Sequence, residues 1–204
     1  VQYGYSAAKI LKQAQEKFRR VATLSPKLGK SIEDLMSYIT KPDRFGSPPP
    51  EPGDKEHRGA MIALTVALTG MRPGSVNSSN FGASTLQPDH IEIKGDTATF
   101  TFIGKNNKEN KYTIQNKAYV DNLKPYLKGK KNVGIKPPAK GEKLPALKDR
   151  NDLNYVFDKP TKGLEDAQAR GKEYGGFKLK DYRTVIATNK GRDVLSNYIG
   201  PPPP

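Results

Sequence analysis

The sequence predicts a mostly helical fold that contains one small antiparallel sheet, an α+β arrangement. Long segments with apolar residues at helical spacing occupy both ends of the chain. Between them, short segments of alternating apolar and polar residues are separated by turns that contain Gly and Asn, a pattern typical of a β meander. A length of 204 residues suits one domain over 1–204.

Three helices are predicted in the first third of the chain. Ser6 is the predicted N-cap of a first helix over 7–21, whose polar face carries lysines and arginines. Ser31 predicts the start of a second helix. The third, over 55–69, is apolar on most sides and is therefore expected at the centre of the fold, with Gly70 as its C-cap.

The remaining elements alternate with irregular segments. The Pro-rich segment 45–54, the segment 128–148, rich in Lys, Gly and Pro, and the Pro tail 200–204 predict loops and extended chain. The predicted strands are 91–93, 97–103 and 111–114. The further predicted helices are 116–127, 153–157, 164–169 and 177–188.

Charge and composition indicate a polyanionic partner. The net charge is +14, and no apolar run approaches the roughly 20 residues of a membrane span. We therefore expect double-stranded DNA as the partner, no membrane contact, and an intracellular protein without a signal peptide. The chain has no cysteine, and the surroundings of His57 and His90 supply no convincing second ligand. No cofactor or metal is expected, although a site built from carboxylates alone stays open.

Four positions carry the side chains that cleavage of a phosphodiester needs. Tyr198 offers a phenol that can attack phosphorus and form an ester. Arg72 and Arg183 offer forked N–H donors for the phosphate oxygens. Lys105, at a strand end, is suited to protonate the leaving 5′ oxygen. Singly, each residue is more often a surface charge or a packed anchor. The four together, in a basic chain, indicate strand cleavage.

The motifs around these positions resemble those of type IB DNA topoisomerases, of the poxvirus, bacterial or phage kind. The resemblance extends over nearly the whole chain and implies a catalytic domain of the tyrosine recombinase and topoisomerase IB type. Its motifs are Thr69-Gly70-Met71-Arg72-Pro73-Gly74-Ser75, Phe81-Gly82-Ala83-Ser84-Thr85-Leu86, Phe102-Ile103-Gly104-Lys105, Lys180-Asp181-Tyr182-Arg183-Thr184, Tyr198-Ile199 and Gln2-Tyr3-Gly4-Tyr5.

The resemblance implies a mechanism that needs neither ATP nor metal. Tyr198 would form a 3′-phosphotyrosyl link, Arg72 and Arg183 would stabilise the transition state, and Lys105 would protonate the 5′-hydroxyl. Asn197 matches the position of a fourth assisting residue. We also expect a monomer that lacks the N-terminal clamp domain of the family. The predicted DNA contacts are Tyr3, Tyr5, Phe81, Lys108 and Lys180.

The C-terminal end departs from the family pattern. Tyr198 follows Arg183 by only 15 positions, about 22 Å along one straight helix. Either this is a shortened natural variant, or the sequence lacks residues near 189–191 and 197–198. We expect the chain to turn back near Gly191.

Two alternative functions stay open. A tyrosine recombinase shares the nucleophile and the arginine pair, but recombinases usually have a His where this chain has Lys180. A DNA-binding module without activity is the other alternative, and the short C-terminal spacing favours it.

Overall fold

The computed structural model describes the backbone of residues 2–104 and 108–199, and the side chains of residues 6–104 and 108–190. Within these ranges six α-helices accompany one three-stranded sheet. The mostly helical fold with a small sheet is therefore confirmed. The elements are α1 (Gln2–Leu24), α2 (Leu28–Thr40), α3 (Lys55–Thr69), β1 (Ile91–Lys94), β2 (Thr97–Ile103), β3 (Glu109–Gln115), α4 (Lys117–Leu127), α5 (Pro160–Glu173) and α6 (Leu179–Ile199).

Helix α3 lies at the centre of the core, as its apolar sequence predicts. From its first turn to its end nearly all of its side chains are buried, and α2, α4, α5 and α6 all pack against it. It ends at Gly70, which adopts a left-handed conformation (φ 75°) and donates its N–H to the carbonyl of Val66 at 2.8 Å. A left-handed residue closes a helix without strain only where a β-carbon is absent. The predicted helix and its C-cap are confirmed.

The sheet is the predicted meander, with strand order β1-β2-β3 and antiparallel pairing throughout. Alternate residues of β2 face the core, so Phe100 and Phe102 are buried. Their partners on β3 are Tyr112 and Asn110. Asn116 then caps α4 by accepting the N–H of Tyr119 at 2.9 Å.

Two predicted helix starts are wrong. Helix α1 begins at Gln2, so Ser6 lies within it and does not cap it. Helix α2 begins at Leu28, which places Ser31 in its second turn. The Ser31 hydroxyl is buried and shares a 2.7 Å hydrogen bond with the hydroxyl of Tyr182 on α6. Ser31, which was predicted to cap the helix, therefore makes a tertiary contact.

The segments 45–54 and 128–148 are irregular as predicted, apart from a short turn at Leu147–Asp149. The helix predicted over 153–157 is wrong, because this segment is extended and irregular. Val156 and Phe157 are buried there, and the N–H of Val156 donates to the carbonyl of Leu86 at 2.9 Å. The apolar side chains of Val156 and Phe157 are therefore buried against the core without forming a helix. The piece predicted over 164–169 is part of the longer α5.

The expected turn near Gly191 is also wrong. Helix α6 continues through this residue to Ile199. One interior Gly costs a helix only about 1 kcal/mol relative to Ala, which the residues on either side can offset. Positions 183 and 198 therefore lie on one helix, about 22 Å apart along its axis at about 1.5 Å per residue.

Candidate active site

The turn after α3 presents Arg72 at the surface. Met71 is fully buried and donates its N–H to the hydroxyl oxygen of Thr69 at 3.0 Å. Arg72, the next residue, is exposed, and its carbonyl accepts the N–H of Ala83 at 2.8 Å. A buried neighbour on one side and a backbone hydrogen bond therefore fix the start of the Arg72 side chain.

Gly82 makes this arrangement possible. The segment that contains it passes so close to the Arg72 turn that a β-carbon at Gly82 would lie 2.6 Å from the carbonyl oxygen of Arg72 and 2.5 Å from the Cα of Gly74. Real β-carbons do not approach other atoms so closely, so any other residue would push the two segments apart.

Arg183 reaches the same turn from α6. Its Nε–H donates to the carbonyl oxygen of Gly70 at 3.0 Å, across 113 positions of sequence. The side chain is half-buried, and this burial together with the positive charge of Arg72 lowers the pKa of Arg183. Among the described residues, neither arginine forms an ion pair with a carboxylate. Two neighbouring guanidinium groups without an acidic partner make a site that favours an anion.

The two arginines line one cavity of about 260 Å³. Two of the residues predicted to contact DNA, Phe81 and Lys108, also line it. Asn80 and Tyr112 are further lining residues that the sequence did not single out. The full lining is Arg72, Asn80, Phe81, Phe102, Gly104, Lys108, Asn110, Tyr112 and Arg183.

The missed residues on β3 had a signal in the sequence. Asn110, Tyr112 and Ile114 alternate along the strand, and the structure turns these positions towards the protein while the residues between them are exposed. Because Asn110 and Tyr112 each lie an even number of positions before the buried Ile114, all three lie on the same face of the sheet. Asn80 lies in an irregular segment, where no periodicity could indicate it.

Several predicted site residues lie outside the described parts of the structure. Lys105 does so entirely, although Gly104 and Lys108 on either side of it in sequence line the cavity. Asn197 and Tyr198 are in the last turn of α6, and their side chains are not described. The same holds for Tyr3 and Tyr5 at the start of α1. The roles of these five residues stay predictions.

Lys180 is separate from the arginine cavity. It is exposed and lines a different cavity of about 410 Å³ between α1 and α6, together with Arg20, Asp181 and Thr184. Its predicted DNA contact stays a prediction.

Both histidines are built into the core. His90 accepts the N–H of Gln87 at its Nδ1 (3.1 Å) and packs edge-on against Phe81, and burial lowers its pKa to about 4. His57 lies between the hydroxyl of Tyr126 at 2.7 Å and the amide oxygen of Asn122 at 2.9 Å. Where side chains are described, no group of three or more His, Asp or Glu residues could hold a metal ion.

The basic loop 128–148 is attached to the short turn Pro88–His90, which leads into β1. The Asp89 carboxylate accepts the backbone N–H groups of Val133 (2.8 Å), Gly134 (2.8 Å) and Ile135 (3.3 Å). Burial alone would raise the pKa of Asp89, but these hydrogen bonds outweigh it and hold the pKa below its usual value. The loop residue Lys136 lines a cavity of about 220 Å³ that adjoins the arginine cavity and shares Phe81 with it.

Comparison with known proteins supports the resemblance that the motifs predict. No family model matches the chain. The curated DNA topoisomerase 1B of Acanthamoeba polyphaga mimivirus is 26% identical over 195 residues, which are 91% of this chain and 51% of that protein. The chain thus spans about half the length of this relative. This match over nearly the whole chain confirms the resemblance to a type IB topoisomerase catalytic domain.

A solved structure shows the fold. The XerH site-specific recombinase, determined bound to its difH substrate in a pre-cleavage complex, superposes with a TM-score of 0.50 over 85% of this chain and 44% of that chain. The sequences are 16% identical, so this likeness concerns the fold alone. The chain therefore has the fold of a tyrosine recombinase catalytic domain.

Among the described residues, none of the helices combines the length and the apolar character that a membrane span needs.

Proposed function

We propose that this chain is a catalytic domain over 1–204 that relaxes supercoiled DNA as type IB topoisomerases do. It would cleave one strand through a 3′-phosphotyrosyl intermediate and reseal it, without ATP or metal. The observation that carries the proposal is the convergence of Arg72 and Arg183 on one cavity, with Arg183 bonded to the carbonyl of Gly70, 113 positions away.

The arginine pair is suited to the charge that develops on a phosphate under attack. Both guanidinium groups present planar donors, and the half-buried setting of Arg183 strengthens its attraction for the non-bridging oxygens. The absence of a carboxylate partner for either arginine among the described residues leaves that positive charge available to the DNA. These features support a role in stabilising the transition state.

The other catalytic roles follow from the resemblance. In this proposal Tyr198 attacks phosphorus, Lys105 protonates the leaving 5′ oxygen, and Asn197 assists at a phosphate oxygen. Gly104 and Lys108, the described residues nearest to Lys105 in sequence, line the cavity, which supports the role proposed for Lys105.

Tyr198 needs a conformational step to reach this site. In the straight helix its position is about 22 Å along the axis from that of Arg183. We infer that the end of α6 bends away from the helix axis when DNA is bound. Without such a bend the arginine pair and the phenol could not act on the same phosphate.

Double-stranded DNA is the proposed substrate, and a monomer its proposed acting form. The net charge of +14 and the exposed Lys108 at the cavity support attraction of the phosphate backbone. Phe81 also lines the cavity, but it is only 7% exposed, so its main role is in packing.

The test is incubation with negatively supercoiled plasmid in EDTA without ATP. We expect a ladder of relaxed topoisomers from the wild-type protein, and none from Tyr198→Phe. Tyr198→Phe removes one hydroxyl and leaves the ring in place. Relaxation that persists in this variant would mean that another residue is the nucleophile.

Two other functions would give different results. A tyrosine recombinase, favoured by the likeness in fold to XerH, would exchange strands between defined sites. A DNA-binding module without activity, favoured by the continuous α6, would shift DNA in a gel in a salt-sensitive way without relaxing it.

A further inference from the structure

Helix α1 contacts the rest of the protein mainly through its last turns. Its side chains from position 6 to position 20 are exposed, whereas Val21 and Leu24 are buried against the core. Arg20 lies where the exposed part ends, and its side chain connects α1 to α6. The contact between these two helices thus combines a small apolar patch with one charged pair.

Arg20 and Asp181 form a two-pronged hydrogen bond. The Nε of Arg20 donates to Oδ1 of Asp181 at 2.9 Å, and Nη2 donates to Oδ2 at 2.7 Å. Nη2 also donates to the carbonyl of Gly176 at 3.2 Å, in the segment that leads into α6. Two parallel bonds fix the relative orientation of both groups as well as their separation.

Asp181 also holds the start of α6. It is the third residue of the helix and only 6% exposed, and its Oδ2 accepts the backbone N–H of Lys178 at 2.7 Å. A carboxylate at this place satisfies a backbone donor that the helix leaves without a partner. Burial would raise the pKa of Asp181, but the hydrogen bonds from Arg20 and Lys178 outweigh it and lower the pKa, so the group is charged at neutral pH.

Asp181 lies two residues before Arg183, and both belong to the first turns of α6. The Nε of Arg183 must stay within hydrogen-bond distance of the Gly70 carbonyl to face the arginine cavity. A rotation or shift at the start of α6 would move this side chain with it. The position of Arg183 therefore depends on what holds that turn.

We propose that Arg20 is a positioning residue for strand cleavage: through Asp181 it fixes the first turn of α6 and so holds Arg183 opposite Arg72. This inference rests on the proposed function. Arg20 itself lies outside the arginine cavity and acts only through α6. The pair also makes the placement of Arg183 sensitive to any displacement of α1.

The test compares Arg20→Ala with Arg19→Ala. Both variants remove one positive charge from neighbouring positions of α1, but Arg19 is exposed and its side chain makes no hydrogen bond or ion pair with any residue whose side chain the structure describes. Single-turnover cleavage of a labelled duplex at saturating protein gives the rate constant, and fluorescence anisotropy gives the DNA affinity. Hydrogen exchange of the amides of residues 178–186 reports on the start of α6 without reference to activity.

We expect Arg20→Ala to lower the cleavage rate constant about 10- to 100-fold, as a misplaced catalytic group does. Its DNA affinity should match that of Arg19→Ala, and exchange over 178–186 should be faster than in Arg19→Ala. Arg20→Lys, which keeps one charged donor, should recover part of the rate. A purely structural role would lower protein stability without this separation of rate from affinity.

Two results would overturn the inference and are distinguishable from each other. If the wild type cleaves DNA and Arg20→Ala behaves as Arg19→Ala in rate and exchange, Arg20 does not position Arg183. If the wild type binds DNA but does not cleave it, the proposed function fails, and the role of Arg20 in cleavage fails with it.

Discussion

At the scale of single residues, the candidate site is organised by backbone contacts. The carbonyl of Gly70 at the end of α3 accepts the Nε–H of Arg183, and the carbonyl of Arg72 accepts the N–H of Ala83. No carboxylate neutralises either arginine within the described residues. The Arg183 side chain is oriented by a neutral carbonyl group, which leaves its full charge for a phosphate.

We predict that Arg72→Lys and Arg183→Lys each lower the cleavage rate by roughly 100- to 1,000-fold, the usual effect of losing one donor to a transition state. DNA affinity should change little, because Lys keeps the positive charge. The cleavage rate should fall, because Lys lacks the planar fork of donors. Single-turnover cleavage and anisotropy measure the two effects. Arg44→Lys is the matched control, since Arg44 lies beyond the other end of α3, above the ring of Phe45. Equal losses in all three variants would contradict the assignment.

His90 predicts a pH dependence of stability. Burial lowers its pKa to about 4, whereas an unfolded chain has a histidine pKa of about 6.5. Between these values the unfolded state binds more protons, so the free energy of unfolding should fall as the pH falls from about 6.5 to about 4. The loss should reach at most about 3.5 kcal/mol, at about 1.4 kcal/mol per pKa unit.

Urea unfolding at pH 7 and pH 5 measures this loss. His90→Phe keeps an aromatic ring beside Phe81 but cannot titrate, so its stability should differ less between the two pH values. The same pH dependence in both proteins would show that His90 is not responsible. His57, whose pKa is also lowered, mainly by burial, contributes in the same direction and is present in both.

At the scale of elements, the sequence predicted what strong local patterns determine. Helix α3 and the meander were predicted because their apolar residues repeat with one clear period and end at Gly70 or at turns. The start of α2 and the irregular segment 153–157 were not, because tertiary contacts decide them. The continuation of α6 past Gly191 was missed because one unfavourable residue does not end a helix that its neighbours support.

Gly82→Ala tests the close approach that shapes the Arg72 turn. We expect it to destabilise the protein by about 1–3 kcal/mol, the usual cost of overpacking, because the new methyl group would overlap the backbone of Arg72 and Gly74. Cleavage should fall along with stability. Thermal unfolding gives the first quantity. Gly29→Ala, in α2 with no atom within 4 Å of the new carbon, should have no effect or stabilise slightly. A neutral Gly82→Ala would contradict the packing account.

At the scale of the whole molecule, the site is assembled from distant parts of the chain. Motif order in the sequence indicated Arg72 and Arg183, and the fold brings them together through α3 and α6. The alternation of β3 marks the face that carries Tyr112, but only the fold shows that this residue lines the same cavity as Arg183. The sequence also could not show that Lys180 lines a different cavity, since helix rotation is set by packing against α1.

The net charge predicts strongly salt-dependent DNA binding. With several phosphate contacts, affinity for a duplex should fall at least about 100-fold between 50 and 200 mM salt. Lys108→Gln should reduce the slope of log affinity against log salt by about 1, as the loss of one phosphate contact does. Lys30→Gln should leave it unchanged, because Lys30 contacts Asp34 at 3.0 Å on α2. Anisotropy titrations measure both slopes, and a salt-independent affinity would exclude backbone contacts as the main attraction.

The most direct test of the central claim is to trap the covalent intermediate. A duplex with a short strand downstream of the cleavage site loses its 5′-hydroxyl fragment, so religation cannot occur. We predict that the protein becomes attached to the 3′ phosphate, that peptide mapping locates the link at Tyr198, and that Tyr198→Phe forms no adduct. An adduct at a 5′ phosphate, at another residue, or undiminished in Tyr198→Phe would contradict the account.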